Sequence, residues 1–313
     1  MPTPMHSIWT MAGLAALLTL SACGGGGGGN SGGGSGNVLF VADINHGVVA
    51  AFPTLDPPAG STVSGYTISV PLLGLSLAYK AEADELYTAS GSSVAVYANA
   101  SRAKGSPSPA RTITLQGVNL VGTPVIYLDK THDVLYIGGT RTYDGAIAAV
   151  SHASTASGSV TPDRTMTFSA GVNFFTVDPG RSVLYVLNSL AGVHVYQDAD
   201  TADGAMTQSH GWPSSGTGLA IDPVNDRLYV SDPVRGIQIV DKASSSSGSQ
   251  AGTLAIPSAH YVTLDAGNDR LYVGAYTSAY IINNASALGA GSQVPAALSV
   301  ASEGSSIAGF AFP

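Results

Sequence analysis

A Leu-Tyr pair, once Leu-Phe, followed by a β-branched residue recurs six times after residue 38. The copies are Leu39-Phe40-Val41, Leu86-Tyr87-Thr88, Leu135-Tyr136-Ile137, Leu184-Tyr185-Val186, Leu228-Tyr229-Val230 and Leu271-Tyr272-Val273, with successive leucines 47, 49, 49, 44 and 43 residues apart. A period in the forties built of short β-type segments predicts a β-propeller, with one four-stranded sheet per repeat.

The fifth repeat shows the plan. Gly218–Asp222 reads as an innermost strand, Arg227–Ser231 as the second, Gly236–Asp241 as the third and Gly252–Ile256 as the fourth. Lys242–Ala251 between the last two reads as a Ser/Gly-rich loop. Apolar alternation bounded by Gly, Pro, Asn and Asp is the pattern of strands and hairpins. Two bulky rows precede each Leu-Tyr pair: Leu77, Ile126, Phe175, Leu219 and Val262, then Tyr79, Leu128, Val177, Ile221 and Leu264. Blades that pack face to face bury both sides of each sheet, which accounts for both rows. The position after the second row holds Lys80, Asp129, Asp178, Asp222 and Asp265. At a strand-to-turn junction these aspartates read as hairpin stabilisers rather than a metal ring.

The first repeat starts directly at its Leu-Phe strand, and the chain finishes on an unpaired strand, Gly309–Pro313. Placing Phe312 in register with Ile221 makes this strand the missing inner strand of the first blade. The expectation is therefore an all-β, six-bladed propeller over residues 38–313, with four-stranded antiparallel blades and the first blade closed by the C-terminal strand.

Upstream of the repeats, Ile8–Leu20 is a 13-residue apolar stretch. A membrane-spanning helix needs about 20 residues, whereas the hydrophobic region of a signal peptide is shorter. It runs into Leu20-Ser21-Ala22-Cys23, which resembles a bacterial lipobox, and Cys23 is the only cysteine. That resemblance implies a signal peptide over 1–22, lipidation of Cys23 and an exported protein held at the cell envelope. Gly24 in place of Asp after the cysteine implies the outer membrane. The segment Met1–Ser7 lacks the Lys or Arg usual before such a stretch. Residues 24–37 are almost wholly Gly, Ser and Asn, a composition that predicts a flexible tether with a span of roughly 20 Å.

Charged residues make up 10% of the chain, against about 25% in ordinary globular proteins, and the formal net charge is −8. No basic run or stripe exists, so a nucleic-acid partner is not expected. The run Asp222-Pro-Val-Asn-Asp-Arg-Leu-Tyr-Val-Ser-Asp232, and Val38-Leu-Phe-Val-Ala-Asp-Ile-Asn-His46, resemble NHL and YVTN-type bacterial propeller repeats. The resemblance spans residues 38–313 and implies a fold rather than an activity, since propellers host unrelated functions.

Loops entering the innermost strands and loops joining second to third strands share one face of a propeller. On that face the candidate partner-binding residues are Asn45, His46, Arg141, Tyr143, Asn173, Asp232, Arg235 and His260. The mouth of the channel is expected at Leu75, Pro124, Asn173, Thr217, His260 and Ala308. It offers no paired carboxylates for acid–base work and no oxygen-rich set for a divalent cation. His260 has no carboxylate or second histidine at suitable spacing, and reads as a lining residue. Catalytic residues, a bound metal and a cofactor are therefore not expected. The reading is a monomeric, membrane-anchored binding or scaffold propeller that recognises an envelope protein or glycan through its channel face. The alternative is a lactonase- or esterase-like hydrolase of the six-bladed gluconolactonase type with a degenerate metal site. A third possibility is a scaffold within an envelope assembly complex.

Overall fold

The protein is described here by a computed structural model that covers residues 38–55, 66–71, 74, 76–188, 192–246, 248–276, 278–289, 291–294, 298–299 and 307–313. The expected signal peptide, Cys23, the tether and Leu75 lie outside the described residues.

Six sheets form the blades, and in all but the first the first strand in sequence is innermost. Four blades have the expected four antiparallel strands, whereas blades 2 and 3 have five, because a short strand from the following blade adds in parallel to the outer edge of each. Blade 5 consists of Gly218–Asp222, Arg227–Asp232, Gly236–Asp241 and Ser249–Leu254. Its fourth strand begins earlier than its composition suggests, because the outermost strand of a blade faces solvent along one edge and can be polar. A register shift between Ile239 and Val240 accommodates it. The inner strands of blades 2, 3, 4 and 6 are Ala78–Lys80, Val121–Asp129, Val172–Asp178 and Tyr261–Asp265.

Blade 1 is assembled from both ends of the chain. Ile307–Ala311 pairs with Leu39–Asp43, placing Phe40 opposite Ala311 and Val41 opposite Phe310. The strands Val48–Phe52 and Tyr66–Ser69 complete the sheet. The expected closure is therefore observed: six blades form a ring and the first is sealed by the C-terminal strand.

The two bulky rows are buried, except for the half-buried Leu264, as are the Leu-Tyr leucines: Leu86, Leu135, Leu184, Leu228 and Leu271 are fully inaccessible. The aspartate row closes the first hairpin of its blade. Asp222 accepts from the Val224 and Asn225 amides at 2.9 and 3.1 Å, Asp129 from Thr131 and His132, and Asp265 from Asn268. Each is an Asx-type turn, in which a carboxylate replaces the backbone acceptor.

A second beat, quieter than Leu-Tyr, holds the other turns. Asp84, Asp133, Asp226 and Asp269 adopt left-handed backbone with φ between 49° and 54°. Each accepts from the amide and hydroxyl of a serine beyond the third strand of its own blade: Ser101, Ser154, Ser244 and Ser286. In blade 4 the roles are exchanged between Ser182 and Asp200. The alanine preceding each of these partners is fully buried. Five residues after that alanine, Gly105, Gly158 and Gly204 adopt φ of 70°, 73° and 85°. There the chain turns to pair in parallel with the outer strand of the preceding blade, opposite Ile68, Ile113 and Met166.

Arginines tie blades together through carbonyls of these same turns. Arg111 donates to the carbonyls of Ala153 and Ala156, Arg164 to Ala199, Arg227 to Ser286 and Leu288, and Arg270 to Leu55. Bonds from an ionised donor are roughly twice as strong as neutral ones. Few charges are present in this chain, and these serve the ring.

Phe310 is 2% exposed and stacks on Tyr272 of blade 6 with ring centroids 5.6 Å apart. Phe310→Ala is expected to cost about 3–5 kcal/mol of unfolding free energy. Chemical denaturation checks this, and an unchanged midpoint would contradict the account of closure.

Candidate binding face

In blade 5, Gly218 lies opposite Ser231 and Asp232 lies opposite Gly236, so one end of the molecule carries the second hairpins and the crossovers between blades. We call this the first face. The first hairpins, with their aspartates, lie at the opposite end.

The sequence-nominated residues occupy separate stations around the first face. In blade 1, His46 Nδ1 sits 2.8 Å from an Asp43 carboxylate oxygen, and Asn45 is exposed. In blade 3, Arg141 donates to both oxygens of Asp144, with Nε at 2.6 Å from Oδ1, while Tyr143 between them is 93% exposed. In blade 4, Asn173 is exposed at a β-bulge of the inner strand.

Blades 5 and 6 bring more together. Asp232 is buried and accepts from the Val234 and Arg235 amides at 2.8 and 2.9 Å, from Ser215 and from Gln238. Burial alone would raise its carboxyl, but these bonds outweigh that and hold it below the ordinary carboxylate value. Asp232 is thus the brace of its hairpin, and it presents Arg235 and Val234 to solvent. Arg235 returns an ion pair at 3.1 Å with a mostly exposed side chain. At the junction of blades 5 and 6, the His260 carbonyl accepts from Thr217 Oγ1 at 2.6 Å and Ser231 Oγ at 2.9 Å. The His260 ring packs on Tyr276 with centroids 4.4 Å apart.

Exposure adds two residues that sequence patterning did not single out, Val121 and Val234. Among the described residues the exposed large apolar side chains are Val121, Tyr143, Val224, Val234 and Tyr276. All but Val224 lie on the first face. The basic side chains described on this face, Arg141 and Arg235, each lie beside an aspartate three residues away, as does the imidazole of His46. The face is therefore apolar and aromatic with locally balanced charge, suited to contact rather than to attracting an ion.

The central channel has a different character. A cavity of about 270 Å³ is lined by all six inner strands. Its girdle is the row lying between the two bulky rows: Ala78, Tyr127, Thr176, Ala220, Thr263 and Ala311. Five of the six are small, which opens the space. Toward the first face Phe174 and Tyr261 line it, and at the opposite end Lys130, Pro223 and Ala266 do. Among the described residues that line it, none is a carboxylate or a histidine. Among the described residues no group of three or more His, Cys, Asp or Glu side chains is placed to hold a metal ion.

The sequence matches no protein-family model. It matches no curated protein. Many solved chains share its architecture. One, from the crystal structure of a nidogen/laminin complex, superposes with a TM-score of 0.58 at 15% identity, covering 88% of this chain and 98% of that one. Another, a functionally unknown protein from Desulfotomaculum acetoxidans, gives a TM-score of 0.55 at 11% identity, covering 79% of this chain and 75% of the other. Likeness at this identity shows the six-bladed propeller fold alone.

Burial holds the His260 imidazole below its ordinary value of 6.5, and its Nε2 is buried without a hydrogen-bond partner among the described residues. As pH falls the unfolded chain takes up this proton before the folded one does. His260 therefore costs no stability above its ordinary pKa and lowers stability progressively below it. Melting temperature measured from about pH 7.5 to pH 5 should fall less steeply in His260→Gln than in the parent. Identical slopes would contradict the buried, neutral imidazole.

Proposed function

We propose that this chain is an exported, non-enzymatic binding propeller of the bacterial cell envelope, anchored through lipid on Cys23, that docks a protein partner on its first face. The carrying observation is the segregation of exposed large apolar side chains: Val121, Tyr143, Val234 and Tyr276 share one end of the ring. Clustered exposed apolar groups rimmed by polar residues characterise interaction surfaces, and aromatic residues dominate the energetics of such contacts. The nidogen/laminin structure is that of a protein complex, which accords with a protein partner. The resemblance of the repeats to NHL and YVTN-type propellers accords with a bacterial exported protein.

Among the described residues no helix is long and apolar enough to cross a membrane, so anchoring in this reading rests on the lipobox-like segment at Leu20–Cys23. The chain enters blade 1 at Val38, at the end opposite the first face, because Leu39 pairs with Phe52 and Asp43 with Val48. The hydrolase alternative gains no donor set from the residues around the channel.

A photo-crosslinking residue placed at Tyr143 or Tyr276 in cells should yield one stoichiometric protein adduct, whereas the same residue at Val224, on the opposite end, should not. Equal crosslinking from Val224 would overturn the choice of face, and an adduct of carbohydrate alone would replace the protein partner with a glycan. Cys23→Ser should release the protein from membranes or leave its signal uncut. A mature-sized product that still fractionates with membranes would sink the lipid anchor.

A further inference from the structure

Interiors of folded proteins are packed with few voids larger than a water molecule, yet this ring leaves about 270 Å³ open along its axis. That is many times the space a single water needs, enough for a group of waters or for one small organic molecule. Its walls decide which of the two it suits. The girdle contributes the methyl groups of Ala78, Ala220 and Ala311, and the bulky rows on either side add aliphatic and aromatic carbon such as Leu77, Ile221 and Phe310. Apart from Lys130, the polar side chains of the lining are hydroxyl-bearing, Tyr127, Thr176 and Thr263 among them, and the inner strands add backbone groups along their free edges. The side chain of Ser76 is already committed to the amide and carbonyl of Ile126. A mainly apolar chamber with a few convergent polar groups is the general form of a small-molecule site.

Charge narrows the class further. The one ionisable cation in the lining, Lys130, belongs to a turn at the end opposite the first face and donates to the Phe312 carbonyl at 3.2 Å. Glu82 and Asp265 act on the same amine, so the mouth offers no net attraction to an anion. Inside, an ion of either sign would find no counter-charge, at a desolvation cost of several kcal/mol. The girdle is also asymmetric. Blade 3 alone places a ring, Tyr127, where other blades carry Ala or Thr, giving one aromatic wall in a girdle otherwise made of small side chains.

We propose that the central chamber is a binding site for one uncharged, mainly apolar small molecule bearing a hydrogen-bonding group, entered from the end opposite the partner face. The site is distinct from that face and does not depend on the proposed function.

Blade 3 supplies its own test design, because it shows that this row accepts a tyrosine. Thr176→Tyr and Thr263→Tyr copy that residue into the same row of blades 4 and 6 and fill the chamber while keeping a hydroxyl. The full chain is titrated with N-phenyl-1-naphthylamine, an uncharged aromatic amine that fluoresces in apolar surroundings. Saturable one-to-one binding is expected, at least tenfold weaker in both tyrosine variants and unchanged in Tyr143→Ala. The anionic relative 8-anilinonaphthalene-1-sulfonate should bind at least tenfold more weakly than the neutral probe. Melting temperatures of the variants without probe establish that they are folded. If one variant fails to fold, the other decides. If neither folds, Thr263→Val, which removes one girdle hydroxyl at constant volume, should weaken binding severalfold. Absent saturable binding, binding that survives these substitutions, or loss of binding in Tyr143→Ala would overturn the site. Equal affinity for the anion would overturn the ligand class.

Discussion

The pairing of Ile307–Ala311 with Leu39–Asp43 is the contact on which the molecule depends. Without it the edge of Leu39–Asp43 is left unpaired, and blades 2 and 6 lose the complete sheet packed between them. With it the inner strands encircle an axis, and the channel acquires a complete wall. The closure is costly to form, because it joins segments at opposite ends of the repeat region and the entropy of such long-range pairing is spent before packing returns it. Burial of Phe310 against Tyr272, and the Arg270 bonds to Leu55, give blades 1 and 6 the side-chain contacts that offset this cost.

The ring is held with very few charges. Its turns are fastened by aspartate–serine pairs, and its junctions by arginines directed at carbonyls rather than at carboxylates. Much of this was legible in the sequence. The Leu-Tyr beat and the two bulky rows were readable because core positions tolerate only large apolar residues. The aspartate row was readable because an Asx turn demands a short acceptor. The alanine–serine–glycine beat that starts at Ala100, Ala153, Ala199 and Ala243 is just as regular, yet it is made of small polar residues that resemble ordinary loop composition. The exchange of Ser182 for Asp and Asp200 for Ser in blade 4 hides it further, since the physical pair survives while its letters trade places.

The same limitation governed the functional surfaces. Asp232 looked like a contact residue because it stands in a loop. Its burial beneath Val234 and Arg235 depends on Ser215 and Gln238, which only the folded hairpins bring to it. Tyr143 could be nominated from its loop, but nothing in its neighbours says that the ring projects fully into solvent. The small row Ala78, Thr176, Ala220, Thr263 and Ala311 is periodic and could have been read beside its bulky neighbours. Recognising it as a chamber requires knowing that these positions converge on an axis. The first face carries exposed apolar side chains beside paired aspartates, whereas the axial cavity is lined almost without charge.

Native-state hydrogen exchange across the two halves of blade 1 tests the closed ring most directly. If the ring is one cooperative unit, amides of Ile307–Ala311 and Leu39–Asp43 exchange together, with the free energy of global unfolding. Exchange of Ile307–Ala311 orders of magnitude faster than the inner strands of blades 3 to 5, such as Gly218–Asp222, would show that the last strand frays independently, and would contradict the closed ring.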